Sequence, residues 1–352
     1  MHQVKQVPED FIVQEIIKLP ELNEKAGYSY FLLHKRGYNT VDALKLAARN
    51  LNVPFKWTGY AGLKDRNALT SQLVSIKNAN PEKAEGLTMP GISLEFLGRG
   101  KVPVTMGSLE GNRFKIIVRK LDEAEIAAAE ENISLLEKMG FFFPNYFGSQ
   151  RFGSRNSEIG VAILRRDFAT AMELILMSNT SHDSITPYLE SHKNDYVGAF
   201  RLLPKKLAFL YIHSYQALLF NIAAAHIIKS KSEKSRNVQN QLGSLAFPEE
   251  KIGNLLLPIV GFGTDLKEYA PEIGQEFSRL MEADGVSARS FIIRSLPELT
   301  FEGTERQLLA KASDFHHSLS EDELNPGMKK CLLEFYLPKG SYATVLIQAI
   351  FS

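Results

Sequence analysis

Two runs near the start of the chain, residues 11–17 and 28–34, are rich in β-branched and aromatic residues, in the manner of half-buried strands. The period then changes. Val41, Leu44, Ala48 and Leu51 fall on one side of a helix that runs from Thr40, as its cap, to about Asn50. Residues 55–60 and 69–76 return to strand character, with the polar loop Ala61-Gly62-Leu63-Lys64-Asp65-Arg66-Asn67 between them. Alternation is cleanest over residues 112–119, where Phe114, Ile116 and Val118 face one way and Arg113, Lys115 and Arg119 the other. A helix over residues 122–139 follows, stopped by Gly140 where helices favour glycine.

Residues 144–153 are aromatic and turn-rich, with no regular period. From about Arg155 the pattern is helical, over residues 157–165, 169–177 and 207–228. The solvated run 229–240 mixes Lys, Ser, Glu, Arg and Asn and is expected to be a mobile loop. Strands are expected at 255–260, 331–337 and 343–349, the last two joined by a hairpin turn over Pro338-Lys339-Gly340-Ser341-Tyr342. This is a mixed α/β (α+β) pattern. One domain is built from both chain ends, and a helix-rich domain is inserted between them.

Composition narrows the function classes. The 352 residues carry 41 Lys and Arg against 40 acids, a net charge of only +1, so any nucleic-acid contact rests on local clustering of charge. The single cysteine, Cys331, excludes an intramolecular disulfide and thiolate-rich metal sites, and fits a reducing compartment. The start, MHQVKQVPEDF, lacks the apolar core of a signal peptide. Residues 207–228, the most apolar helix, hold His213, Ser214, Gln216, Asn221 and His226, which suits a buried domain helix better than a membrane span. A soluble, cytoplasmic protein is expected.

Most catalytic signatures are missing. The chain has no Walker loop, HExxH, GxSxG or CxxC, and Gly261-Phe262-Gly263 lacks the third glycine of a dinucleotide site. His316 and His317 are adjacent and read as exposed surface residues. What remains is a nucleophile or base on oxygen. Asp65 is the best candidate, in a glycine-opened loop between strands, with Lys64 and Arg66 beside it to favour an ionised carboxylate. Taken alone, the same pattern also describes a turn aspartate in a surface salt bridge.

The wording of the loop goes further than its pattern. Residues 59–72, Gly-Tyr-Ala-Gly-Leu-Lys-Asp-Arg-Asn-Ala-Leu-Thr-Ser-Gln, resemble the catalytic-aspartate motif of the TruD family of pseudouridine synthases, approximately G-x-K-D-[RK]-x-A-x-T-x-Q. Other segments similar to that family follow in order. They are Pro8-Glu9-Asp10-Phe11, Gly111-Asn112-Arg113-Phe114, residues 144–153 (PNYFGSQRFG) and residues 337–344 (LPKGSYAT). The weakly matched part, residues 155–302, corresponds to an insertion specific to the family.

The resemblance implies a pseudouridine-synthase catalytic core, with a mixed β-sheet and flanking helices, over residues 1–154 and 303–352, and an inserted helix-rich α/β domain over 155–302. It implies isomerisation of uridine to pseudouridine in RNA, at uridine 13 of tRNA, by a monomer using neither metal nor organic cofactor. Asp65 takes the role of the essential aspartate. Lys5 matches a lysine that pairs with it, and Asn112 an asparagine that helps position it. Phe114 matches a ring that stacks on the target base. Phe11 and Tyr342 are candidates for the pocket wall, although core packing accounts for them equally well. Phosphate contacts are expected near the domain junction from among Lys35, Arg36, Arg151, Arg155, Arg165, Arg166, Arg201, Lys205 and Lys206. Two other readings stand beside this one. A non-catalytic RNA-binding protein on the same scaffold would usually have lost one of Asp65, Asn112 and Phe114. A hydrolase would need a second acid about 5–10 Å from Asp65, for which Glu9 and Asp10 are the nominees.

Overall fold

The computed structural model describes residues 2–153, 155–178, 184–240 and 243–352. The chain divides into two compact units, residues 1–132 with 311–343 and 351, and residues 133–310 with 344–350 and 352.

The first unit is built on a mixed sheet of nine described strands. They are β1 (Gln3–Val4), β2 (Phe11–Ile16), β3 (Tyr28–Lys35), β4 (Thr58–Tyr60), β5 (Leu69–Lys77), β6 (Ile92–Gly100), β7 (Gly111–Leu121), β8 (Ser313–Glu321) and β9 (Lys329–Pro338). The order is β8-β9-β7-β2-β5-β3-β6, with β1 on β7 and β4 on β5. Only β2 and β5 pair in parallel; the other pairings are antiparallel. Register decides which side chains share a face. Val13 lies opposite both Phe114 and Thr70, Glu15 opposite Asn112, Lys35 opposite Thr70, and Phe335 opposite Phe114. Period-two alternation therefore places Phe11, Val13, Glu15, Lys35, Asn112 and Phe114 on one side of the sheet.

Helix Thr40–Leu51 buries Ala43, Leu44, Ala47, Ala48 and Leu51 at helical spacing, and packs them against Phe31, Leu33, Val74 and Ile76. Its cap is Asn39, whose side chain accepts from the Asp42 N–H at 2.8 Å, and not Thr40 as expected. The Thr40 hydroxyl is used instead in holding the Asp65 loop.

Three further expectations are corrected. Residues 55–60 divide into a 3-10 turn, Phe55–Trp57, and the short β4. The run 229–240 is not a loop: helix Lys205–Lys231 extends into it, and Ser235–Asn240 pairs as a strand with Gly243–Pro248. Its one apolar residue, Val238, is buried among polar neighbours, a pattern that composition alone cannot separate from a solvated loop. Residues 343–349 belong to a helix, Ala343–Phe351, so residues 339–342 join a strand to a helix and form no hairpin. A short apolar run fits either a buried strand or a buried helix.

The second unit centres on helix Lys205–Lys231. This helix is long and apolar enough to cross a membrane, but two-thirds of its most apolar window is buried inside the protein. Its polar residues have internal partners. Gln216 donates to the Val260 carbonyl at 2.7 Å, and Asn221 makes a two-way bond with the Phe147 backbone, at 2.8 and 3.0 Å. The aromatic segment 144–153 is thereby fastened to the helix within the same unit.

Candidate active site

The loop between β4 and β5 has no regular structure of its own, so its shape rests on side-chain bonds to its backbone. Thr40 Oγ1 accepts from the Lys64 N–H at 2.9 Å and donates to Gln72 Oε1 at 2.8 Å. Gln72 in turn donates to the Gly62 carbonyl at 3.1 Å. Arg66 Nε donates to the Gly37 carbonyl at 2.9 Å, and Lys35 Nζ donates to the Asp65 carbonyl at 2.6 Å. Four side chains, from β3, β5, the helix start and the loop itself, thus hold the backbone around Asp65.

The Asp65 side chain points outward, 43% exposed, and Oδ2 accepts from Lys5 Nζ at 2.8 Å. The Lys5 ammonium also lies 3.9 Å over the centre of the Phe11 ring. Lys5 has φ +62°, a left-handed conformation that is uncommon outside glycine and costs roughly 1–3 kcal/mol. β1, registered on β7 through Gln3 and Val4, delivers the residue in that conformation. Phe11 meets Phe114 edge-on at 6.1 Å, and Phe114 stacks on Phe335 at 5.3 Å. Asp65, Lys5, Phe11 and Phe114 therefore form one continuous run of contacts. Phe114 itself is only 8% exposed, and Phe335 covers one of its faces.

Beneath this run lies a buried ion pair that sequence reading missed. Lys64 Nζ sits 2.8 Å from Glu15 Oε2 and donates to Asn112 Oδ1 at 2.7 Å. The Glu15–Lys64 contact is close but poorly directed, and the Glu15 oxygens are sealed from water. Burial pushes the Glu15 carboxyl above its ordinary range, and the Lys64 charge opposes that. Asn112 reaches the Asp65 loop through Lys64, the residue preceding the aspartate. The signal was present: alternation from Phe11 and Val13 puts Glu15 on the apolar face, where a carboxylate needs a partner. The motif glycine before Asn112 also has a reason, because a Cβ on Gly111 would collide with the Leu337 carbonyl and the Tyr336 hydroxyl.

The remaining candidates separate. Tyr342 is half-buried in the connection after β9. Arg151 belongs to the second unit, in a 3-10 turn, with its guanidinium 5.7 Å from the Phe147 ring and its carbonyl accepting from Ser214 Oγ at 2.6 Å. Several basic residues nominated for phosphate contact also bond within the protein. Lys35 is buried. Arg166 is spent on the Ser290 and Ile292 carbonyls at 2.8 and 2.7 Å, Arg165 bonds the Asp284 carbonyl, and Arg201 bonds the Ser295 carbonyl at 3.3 Å. Of the acids nominated for a hydrolase, Asp10 is sealed against Arg119 at 2.8 Å, and Glu9 is exposed and pairs with Arg36 at 2.7 Å.

This site can offer a carboxylate held by an ammonium, beside aromatic rings. Known proteins are similar to this chain along nearly its full length. The family model of tRNA pseudouridine synthase D (TruD) matches residues 2–186, 179–249 and 231–350. A protein of Thermococcus sibiricus named "Probable tRNA pseudouridine synthase D" is 31% identical, over 99% of this chain and 94% of its own length. The tRNA pseudouridine synthase D of Geobacter metallireducens is 30% identical over the same shares. A Methanosarcina mazei crystal structure, titled "Putative tRNA pseudouridine synthase D (TruD)", superposes with a TM-score of 0.74 at 28% identity, covering 99% of this chain and 93% of that one. The chain belongs to the tRNA pseudouridine synthase D (TruD) family. It is an isomerase of the pseudouridine-synthase class.

Proposed function

We propose that this protein converts uridine 13 of tRNA to pseudouridine, with Asp65 as its catalytic carboxylate. The observation that carries the reading is the Lys5–Asp65 contact of 2.8 Å beside Phe11 and Phe114, in the loop that bears the family motif. The reaction breaks the N1–C1′ bond, turns the uracil and forms a C5–C1′ bond. C5 gives up a proton and N1 gains one, so nothing is consumed. Asp65 acts on the ribosyl–uracil unit as nucleophile or base, and Lys5 supplies its counter-charge and fixes its direction. Asn112 acts through Lys64 on the loop.

Phe114, with Phe11 and Tyr342 as neighbours in the pocket wall, steadies the detached base. With Phe335 on one face, Phe114 would meet uracil by its other face or its edge. Stacking is worth about 1–3 kcal/mol per base and leaves in-plane rotation free. The target must first be extruded from its stack, at a cost of a few kcal/mol. Residues 1–154 and 303–352 serve as the catalytic part and 155–302 as the family insertion, in a cytoplasmic monomer.

The test is site-resolved pseudouridine mapping of an unmodified tRNA transcript treated with the purified chain. Mass-neutral conversion at position 13 is expected. Release of free uracil would indicate a hydrolase, and binding without conversion a non-catalytic RNA-binding protein.

Two variants bear on the roles. Lys5→Met is expected to slow turnover about 10²-fold, the scale of losing one oriented charged donor. Its melting temperature should hardly move, because exposed pairs contribute about 0–1 kcal/mol. A wild-type rate would remove Lys5 from the catalytic machinery. For Arg151→Glu, weaker tRNA binding with a shallower salt dependence is expected, and an unchanged slope in a filter-binding titration removes Arg151 from the RNA surface.

A further inference from the structure

We propose that Lys35 is a positioning residue for catalysis: its buried ammonium fixes the backbone of Asp65 by bridging the Asp65 and Tyr38 carbonyls. The proposal rests on Asp65 being the catalytic carboxylate.

Lys35 ends β3 and is 3% exposed. Nζ donates to Asp65 O at 2.6 Å and to Tyr38 O at 2.7 Å. Both acceptors are neutral, yet burying an ammonium is costly, and a neutral donor could hold one carbonyl at a lower cost. The ammonium binds two carbonyls from different loops with charge-assisted strength. Thr40, Gln72 and Arg66 hold the loop on either side of residue 65, whereas Lys35 holds residue 65 itself. The direction of the carboxylate follows from that backbone, and a displacement near 1 Å can cost about 10²-fold in rate.

The charged groups facing Lys35 come from the loop. Asp65 favours its protonated form and Lys64 opposes it, while β5 and β6 place Thr70 and Ile92 opposite it in register. Burial dominates and pushes the ammonium down to about 8. Its proton is therefore lost within a range where the enzyme can be assayed. A lysine lowered in the fold binds fewer protons than the unfolded chain between about 8 and 10.5. Its contribution to stability consequently improves as pH rises across that window. A fall in activity there has the opposite sign to any unfolding driven by Lys35.

The experiment follows kcat and KM of the wild type, Lys35→Met and Lys35→Arg from about pH 6 to 10, with melting temperature in parallel. The wild-type kcat is expected to fall with an apparent pKa of about 8 while KM and folding hold. Lys35→Met should lose about 10²-fold in kcat at neutral pH, with little change in KM and no basic limb. Lys35→Arg, which keeps its charge throughout, should recover part of the rate and also lack the limb. A Lys35→Met variant of near wild-type kcat and unchanged KM overturns the proposal. If Lys35→Met does not fold, Lys35→Gln, whose shorter amide cannot keep the same reach, takes its place under the same criterion. Asp65→Asn separates the layers: turnover by that variant removes the catalytic assignment, whereas its inactivity beside an active Lys35→Met removes only the role given to Lys35.

Discussion

Asp65→Asn is expected to lower the rate of pseudouridine formation by about 10⁴-fold or more while leaving tRNA affinity and melting temperature close to wild type. The scale is that of removing the group on which the chemistry turns. Stability is spared for a structural reason. The side chain is 43% exposed, and the bonds that shape the loop are made by its backbone and by Thr40, Gln72, Lys35 and Arg66. Asparagine keeps the size and can still accept from Lys5, but it loses the negative oxygen. Single-turnover conversion, a binding titration and a thermal melt check the three parts together. Conversion by the variant at near wild-type rate would falsify the catalytic assignment.

Arg119→Met should be strongly destabilising, by about 3–5 kcal/mol. Arg119 lies in the sheet with almost no exposure and reaches Asp10 at 2.8 Å, Asp322 at 2.8 Å and Glu323 at 3.1 Å. Methionine fills much of the space but leaves Asp10 and Asp322 buried without their cation. The effect should depend on pH. Burial by itself would raise Asp322, but the Lys120 N–H, Asn325, the Leu324 N–H and Arg119 together hold it down at about 2. A carboxyl lowered in the fold stabilises above its unfolded value of 3.8, and that contribution is lost as pH falls towards 2. The gap between wild type and variant in chemical denaturation should therefore be wide at neutral pH and narrow in acid. A neutral-pH difference below about 1 kcal/mol would show that the cluster contributes little. Activity should suffer too, because Asp10 also accepts from the Val7 N–H at 3.0 Å, in the segment that carries Lys5.

Local sequence determined a good part of this protein. β-Branched and aromatic content marked the strands from Phe11 and Tyr28, and alternation the one from Asn112, since successive side chains on a strand must point to opposite faces. Helix Glu123–Lys138 and the left-handed Gly140 after it were equally legible, and the loop at Asp65 announced its family through contiguous residues. Tertiary structure decided what depends on distant partners. The stretch after Tyr342 is helical, and the polar run before Asn240 ends as a strand, because of what each packs or pairs with. Lys5 meets Asp65 across sixty positions of sequence, and Lys35, expected on the surface, is drawn inward to the same loop. The reason is physical. Periodicity reports which way a side chain faces, but whether a buried charge finds carbonyls or a counter-ion depends on which strand lies alongside.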